Sequence, residues 1–254
     1  PACNTVAGQG QTLAELAQWP TCASCGTANV PRTRKPGTGS KRHHGGLTRK
    51  KYLDPDTLRA FRQWMAARAK ERNDRRAYTD WIIVEILSRT GLRAGELVST
   101  QEHPDRYLRI ADLVLTEADP SIEVKVGKGR VSRVVRISTS LAKLLAWYVA
   151  EYRKGAGPDD PVICSERCST VPAQYRSFDV KLKTWTRQYG ADKLGLTLRG
   201  HVFRHSFAVD FLLKNNNDYV ALAEILGHSD ASVTMTVYCH TTDGRARQMA
   251  ERMQ

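Results

Sequence analysis

No apolar run in this sequence approaches the length of a membrane span. The greasiest stretch, Trp81-Ile82-Ile83-Val84-Glu85-Ile86-Leu87, is broken by a glutamate. The first twenty residues hold Glu15 and no Lys or Arg, so the basic flank of a signal or transit peptide is missing. The opening residue is Pro1 instead of methionine, as expected of a processed chain or a piece of a longer one. Cysteine is sparse and scattered. Cys3, Cys22, Cys25, Cys164, Cys168 and Cys239 do not make a disulfide scaffold, and a reducing, cytoplasmic address is the expectation. Cys22-Ala-Ser-Cys25 has zinc-like or redox-like spacing, but a single CxxC pair is a weak signal, and Cys164 and Cys168 lie far along the chain. Unpaired thiols and no metal are expected.

Positive charge is what the sequence has in excess. Its 254 residues carry 39 Lys+Arg against 26 Asp+Glu, a formal net charge of +13. With 41% hydrophobic and 26% charged residues, the composition is that of a folded, soluble protein with room for a sizeable core. The disordered class is excluded. The surplus favours a polyanionic partner over the blander reading of a solvated basic face.

The charge is unevenly spread. Residues 1–50 hold Arg32, Arg34, Lys35, Lys41, Arg42, Arg49 and Lys50 against Glu15 alone, seven minus one, or +6. Val30 to Gly46 reads VPRTRKPGTGSKRHHGG, with no periodic apolar pattern. Residues 1–46 therefore read as a basic, flexible arm or linker, and the seven cations of residues 1–50 as candidate contacts to a polyanion's backbone. A basic remnant without function is the plain alternative.

Regular structure is expected from about Tyr52. Asp54-Pro55 is a helix start, followed by Leu58, Phe61 and Met65 on one face. A second helix runs from about Ala77 to Thr90, with Trp81, Val84 and Leu87 on a stripe and Gly91 as its stop. Ile122, Val124 and Val126 alternate, Gly127-Lys128-Gly129-Arg130 turns, and Val131, Val135 and Ile137 return, a β-hairpin. Leu141, Leu144, Leu145, Tyr148 and Tyr152 mark another helix, ended by Gly155. From about Arg199 three helices follow, broken at Asn215-Asn216-Asn217 and Gly227-His228-Ser229. The fold class is α+β, mostly helical, with one small antiparallel sheet.

Five places are polar or cationic where the pattern predicts a tight turn or packing. They are Arg93 in TGLRAGEL, Lys128 in GKGR at the hairpin tip, His201 and Arg204 in HVFRHSFA, His228 in ILGHSD, and Tyr238 in VYCH. Singly, each has a bland reading: a cap for Arg93, a solvated turn for Lys128, half-buried core for Tyr238. Together they resemble the tyrosine recombinase or phage-integrase family of site-specific DNA recombinases. That family's signature runs Arg, Lys, His-x-x-Arg, His or Trp, then Tyr, and all six positions occur here in order across roughly residues 50–245.

The residue types suit that chemistry. A tyrosine phenol can attack a phosphodiester and keep the phosphate attached, so a free 5′-hydroxyl can later reverse the step. With an unperturbed pKa of about 10, the phenol needs a proton acceptor or a strongly positive setting. Guanidiniums match the charge that builds on non-bridging oxygens, and a lysine can protonate the leaving 5′-oxygen. The resemblance implies Tyr238 as nucleophile, Arg93 and Arg204 as phosphate clamps, and Lys128 as general acid with Lys125 as substitute. His201 and His228 would serve as proton acceptor and phosphate hydrogen-bond donor. Glu96 is placed to orient Arg93, while His205 reads as a structural hydrogen-bonding residue.

The resemblance further implies a catalytic domain over residues 47–254, double-stranded DNA as partner, and no metal, ATP or other cofactor. It implies a tetramer on synapsed DNA, with a monomer when free, acting at the nucleoid. Most members carry a helical core-binding domain before the catalytic one. Here the preceding residues look unstructured, which reads as a catalytic fragment or a short member. Two alternatives stay open: a type IB topoisomerase-like strand transferase, and a non-catalytic regulator whose helix-turn-helix is Asp218 to Val233.

Overall fold

The computed structural model describes residues 51–125 and 133–239. The seven basic residues between Arg32 and Lys50, Cys3, Cys22, Cys25, Lys128, Val126, Val131 and the segment from Thr241 to Gln254 lie outside the described residues.

Helix α1 (Pro55–Arg72) starts where Asp54 accepts the Thr57 N–H at 3.0 Å, with Pro55 at the first turn. It buries Leu58, Phe61, Met65 and Ala69. Helix α2 (Arg75–Thr90) is capped by Asp74, which accepts from the Ala77 N–H at 2.7 Å. The stripe predicted on α2 is wider than expected: every residue from Ile82 to Ser88 is buried, while Trp81 is only partly so. The reason is position, since α1, α4 (Thr139–Tyr152) and α7 (Gly200–Lys214) all pack around it.

Helix α2 ends on Gly91 at φ 66°, where a side chain would be strained. An added Cβ would also stand 2.5 Å from Phe207 and 2.9 Å from Leu226. This glycine lets the α2 terminus press against the C-terminal helices, and the site is built at that contact. A single short turn, α3 (Ala94–Leu97), follows.

The hairpin is present as β2 (Ser121–Val124) paired antiparallel with β3 (Arg133–Arg136), Ile122 opposite Val135. A strand that the alternation did not announce, β1 (Leu113–Val114), adds to β2 and makes a three-stranded sheet. Two residues are too few for a period-two signal. Helix α5 (Tyr175–Tyr189) was also unannounced, although Phe178, Leu182 and Trp185 are buried at helical spacing. Helix α6 (Ala191–Leu194) is one turn. Helices α7, α8 (Tyr219–Leu226) and α9 (Ala231–Tyr238) fall where the sequence placed three helices.

Two hydrophobic clusters result. The larger gathers α1, α2, α4, α5, the sheet and the start of α7 around Phe61, Ile82, Leu145, Trp185 and Phe203. The smaller holds Ala208, Val209, Leu212, Leu222, Leu226 and Tyr238. Among the described residues no helix is long and apolar enough to cross a membrane, and no group of His, Cys, Asp or Glu is arranged to hold a metal ion. Cys164 is buried, with its Sγ accepting from Arg75 Nη2 at 2.6 Å.

Candidate active site

Arg204 sits on the first turns of α7 and is only 5% exposed. A buried guanidinium needs partners for its five N–H groups. It donates to the carbonyl of Gly91 at 2.8 Å, to the carbonyl of Leu226 at 2.8 Å, and to His228 Nε2 at 3.1 Å. The α2 terminus, α7 and the turn after α8 are thereby joined through one side chain. Burial, then the neighbouring Arg93 charge, lowers its pKa to about 10, so it stays charged at neutral pH.

The Arg204 contact fixes the His228 tautomer. An arginine can only donate, so Nε2 accepts and the ring proton lies on Nδ1. That proton faces Thr234 Oγ1 at 2.7 Å on α9. Burial, followed by the charges of Arg204, Arg93 and Arg133, lowers the His228 pKa to about 4, consistent with a neutral ring.

Arg93 precedes α3 and is the open member, its side chain 42% exposed. Its backbone N–H donates to Glu96 Oε2 at 2.7 Å and its Nη1 donates to Glu96 Oε1 at 3.1 Å. Arg133 of β3 grips the same carboxylate with both Nη atoms, at 2.9 and 2.7 Å. Burial alone would raise the Glu96 pKa, but the Arg133 hydrogen bonds and charge hold it below the usual carboxylate range.

Tyr238, at the end of α9, is 2% exposed. Its hydroxyl lies 2.8 Å from His205 Nδ1. Burial pushes the phenol up to about 12, against the pull of the Arg204 and Arg93 charges. Burial, then the charges of His201, Arg204 and Lys51, lowers His205 to about 4. His201, one turn earlier on α7, is exposed at the rim with its ring 6.2 Å from that of His205. Loss of water, with the Arg204 and Arg93 charges, lowers its pKa too.

Five of the six motif positions, Arg93, His201, Arg204, His228 and Tyr238, thus come together, and Lys128 lies outside the described residues. Lys125, the substitute lysine, pairs with Asp112 at 2.8 Å at the edge of the sheet. Residues 51–245 match the phage integrase family.

The chain belongs to that family. A tyrosine recombinase XerD of Oceanobacillus iheyensis is 32% identical over 171 residues, 66% of this chain and 52% of the relative. The chain spans about half the length of the curated relatives it matches. Among solved structures, the XerA recombinase is similar with a TM-score of 0.60 at 27% identity, covering 80% of this chain and 65% of that one. The XerH site-specific recombinase, solved bound to its difH substrate, has a TM-score of 0.57 at 20% identity over 80% of this chain and 55% of its own, a likeness of fold.

Against the phage-integrase signature, sequence reasoning missed Arg133 and Thr234 as members of the site. A cation on a return strand and a threonine six residues after a histidine carry no motif signal. Only the hydrogen bonds identify them.

Proposed function

We propose that this chain carries the strand-cleaving and strand-joining domain of a site-specific DNA recombinase, acting on double-stranded DNA through a covalent 3′-phosphotyrosine at Tyr238. One observation carries the reading. Buried Arg204 is held by a carbonyl 113 residues upstream and by the Leu226–His228 turn, with Arg93 and Tyr238 in electrostatic reach. Two guanidiniums beside a phenol make a site for a phosphodiester and its nucleophile.

In the proposed reaction Tyr238 Oη attacks phosphorus while Arg93 and Arg204 neutralise the non-bridging oxygens. The base in reach of the phenol is His205 Nδ1, at 2.8 Å and neutral, so the proton passes there and not to His201. Exposed His201 serves the phosphate from the rim, and His228 acts by aiming Arg204. Lys128 protonates the departing 5′-oxygen. The phosphotyrosine conserves the bond energy, so attack by a 5′-hydroxyl reseals the strand without ATP, and the arginines supply the positive charge. The basic arm of residues 1–46, with Arg49 and Lys50 just after it, adds backbone contacts. The relatives named recombinases support recombination as the activity. On this reading the chain acts in the cytoplasm at the nucleoid, monomeric when free and tetrameric when two duplexes are synapsed.

A library of randomised duplexes, nicked so that the cleaved end diffuses away, tests the proposal. Wild type forms a covalent adduct in the absence of Mg²⁺, and Tyr238→Phe forms none. Binding without linkage by either protein favours a regulator built on α8 and α9. Relaxation of supercoils without strand exchange favours a topoisomerase-like enzyme.

A further inference from the structure

Arg133 belongs to none of the signature positions, yet it is among the most constrained cations at the site. Its side chain is 11% exposed. Three of its nitrogens donate in two directions: Nη1 and Nη2 to both oxygens of Glu96, at 2.9 and 2.7 Å, and Nε to the carbonyl of Ile225 at 2.9 Å. A two-pronged arginine–carboxylate pair fixes both planes, which a lysine cannot do. The approach to α8 is close enough that an added Cβ at Gly227 would stand 2.9 Å from Arg133 Cδ. Glu96 in turn holds the backbone and the guanidinium of Arg93. Ile225 lies just before the turn whose Leu226 carbonyl and His228 ring hold Arg204.

From this connectivity we infer that Arg133 is the positioning residue of the phosphate clamp. It sets Arg93 through Glu96 and sets Arg204 through the Ile225–His228 turn, so that both guanidiniums face one phosphate in register. The inference rests on the strand-transfer reading above. A shared carboxylate makes the effect directional. While Arg133 engages both Glu96 oxygens, that charge is neutralised before Arg93 meets it, and Arg93 is left available to phosphate. Without Arg133, the whole Glu96 charge falls on Arg93 and draws it away from DNA. The lost rate is then one of aim, since Arg133 itself is buried and paired and does not reach DNA.

The test uses the full chain and a nicked suicide duplex chosen from the library above, measured in single turnover at saturating DNA. Arg133→Met is expected to slow adduct formation about 100-fold, the scale of a misplacement near 1 Å. Its Kd for the uncleaved duplex should stay within about threefold of wild type, because rim contacts to phosphate set affinity. Adding Glu96→Gln to Arg133→Met should recover about tenfold, since the carboxylate that captures Arg93 is gone. Arg133→Lys, which keeps the charge and loses the fork, should remain slow. Cleavage by Arg133→Met at the wild-type rate overturns the inference while leaving the strand-transfer reading intact. So does a double variant no faster than Arg133→Met, the behaviour of a residue that merely supports folding. Should Arg133→Met melt at room temperature, Arg133→Gln, which also removes the charge, stands in its place in the same pairing with Glu96→Gln, with the same criteria. Absence of any wild-type adduct sinks the strand-transfer reading itself, and this inference with it.

Discussion

Among the described residues, Arg204 and Tyr238 lie within electrostatic reach where two unequal hydrophobic clusters meet. Arg204 follows Phe203, a fully buried member of the large cluster, and its guanidinium is bonded to backbone carbonyls on two other segments. Tyr238 sits in the small cluster, at the end of an eight-residue helix whose other buried residue is Thr234. A helix that short has little stability of its own and depends on docking. The electrostatic half of the site is therefore built into the rigid body, where donors need no rearrangement to meet developing charge. Tyr238, the proposed nucleophile, is carried by an element that opens at lower cost. Such a division suits the proposed cleavage, in which the phenol would reach a bulky duplex from a position where it is 2% exposed.

The largest effects are expected from removing the buried arginine and, for contrast, the half-exposed one. Arg204→Ala leaves two buried carbonyls without a donor and should lower stability by about 3 kcal/mol while abolishing adduct formation. Arg93→Ala removes a half-open side chain. It should slow adduct formation about 100- to 1,000-fold at a stability cost of less than about 1 kcal/mol. Thermal melting and suicide-substrate kinetics on both variants check the pair, and equal melting losses would contradict the structural anchoring of Arg204 in the rigid body.

Next in size is the seam itself. Gly91→Ala places a methyl group against Phe207 and Leu226 at a positive φ, and should destabilise by about 2 kcal/mol or more by denaturant titration. Because the Gly91 carbonyl also receives Arg204, the rate should fall with stability.

Acid probes the polar side of the seam. His205 and His228 each drop from 6.5 to about 4 on folding. Between those values the unfolded chain binds more protons than the folded one. Their contribution to stability is complete above about pH 6.5 and is lost as pH falls toward 4. Melting temperature should be level from pH 7 to 8 and decline below about pH 6. Replacing His205 by Asn should flatten that decline.

The smallest effect should come from Thr234→Val, an isosteric change that takes the partner from His228 Nδ1. A loss of about 1 kcal/mol is expected. The accompanying drop in cleavage rate should be about tenfold or less, since Arg204 keeps its two carbonyls.

Much of this protein is legible along the chain because its signals are local. Asp54-Pro55 and Gly91 mark helix ends through capping and left-handed geometry within a few residues. Ile122, Val124 and Val135 reveal a half-buried hairpin by their alternation. Helix α5 was equally readable, and its Phe178, Leu182 and Trp185 stripe shows what a closer count of periodicity recovers. The six signature positions name a chemistry by type and order alone. The depth of burial along α2 was not readable in that way, because whether a helix has one buried face or all faces buried depends on what surrounds it.

The sequence by itself determined the elements, the excess of positive charge and the residue types for phosphodiester chemistry. These follow from backbone sterics, from apolar periods of two and 3.6, and from side-chain pKa and valence. Tertiary structure alone decided which histidine meets the Tyr238 phenol. His201 belongs to the signature, but His205, 33 residues from Tyr238, holds the phenol. It also decided that Arg133 and Glu96, 37 residues apart, share a charge beside Arg93. Hydrogen bonds between remote segments depend on angles and ångströms that only packing sets. A local pattern carries no information about them.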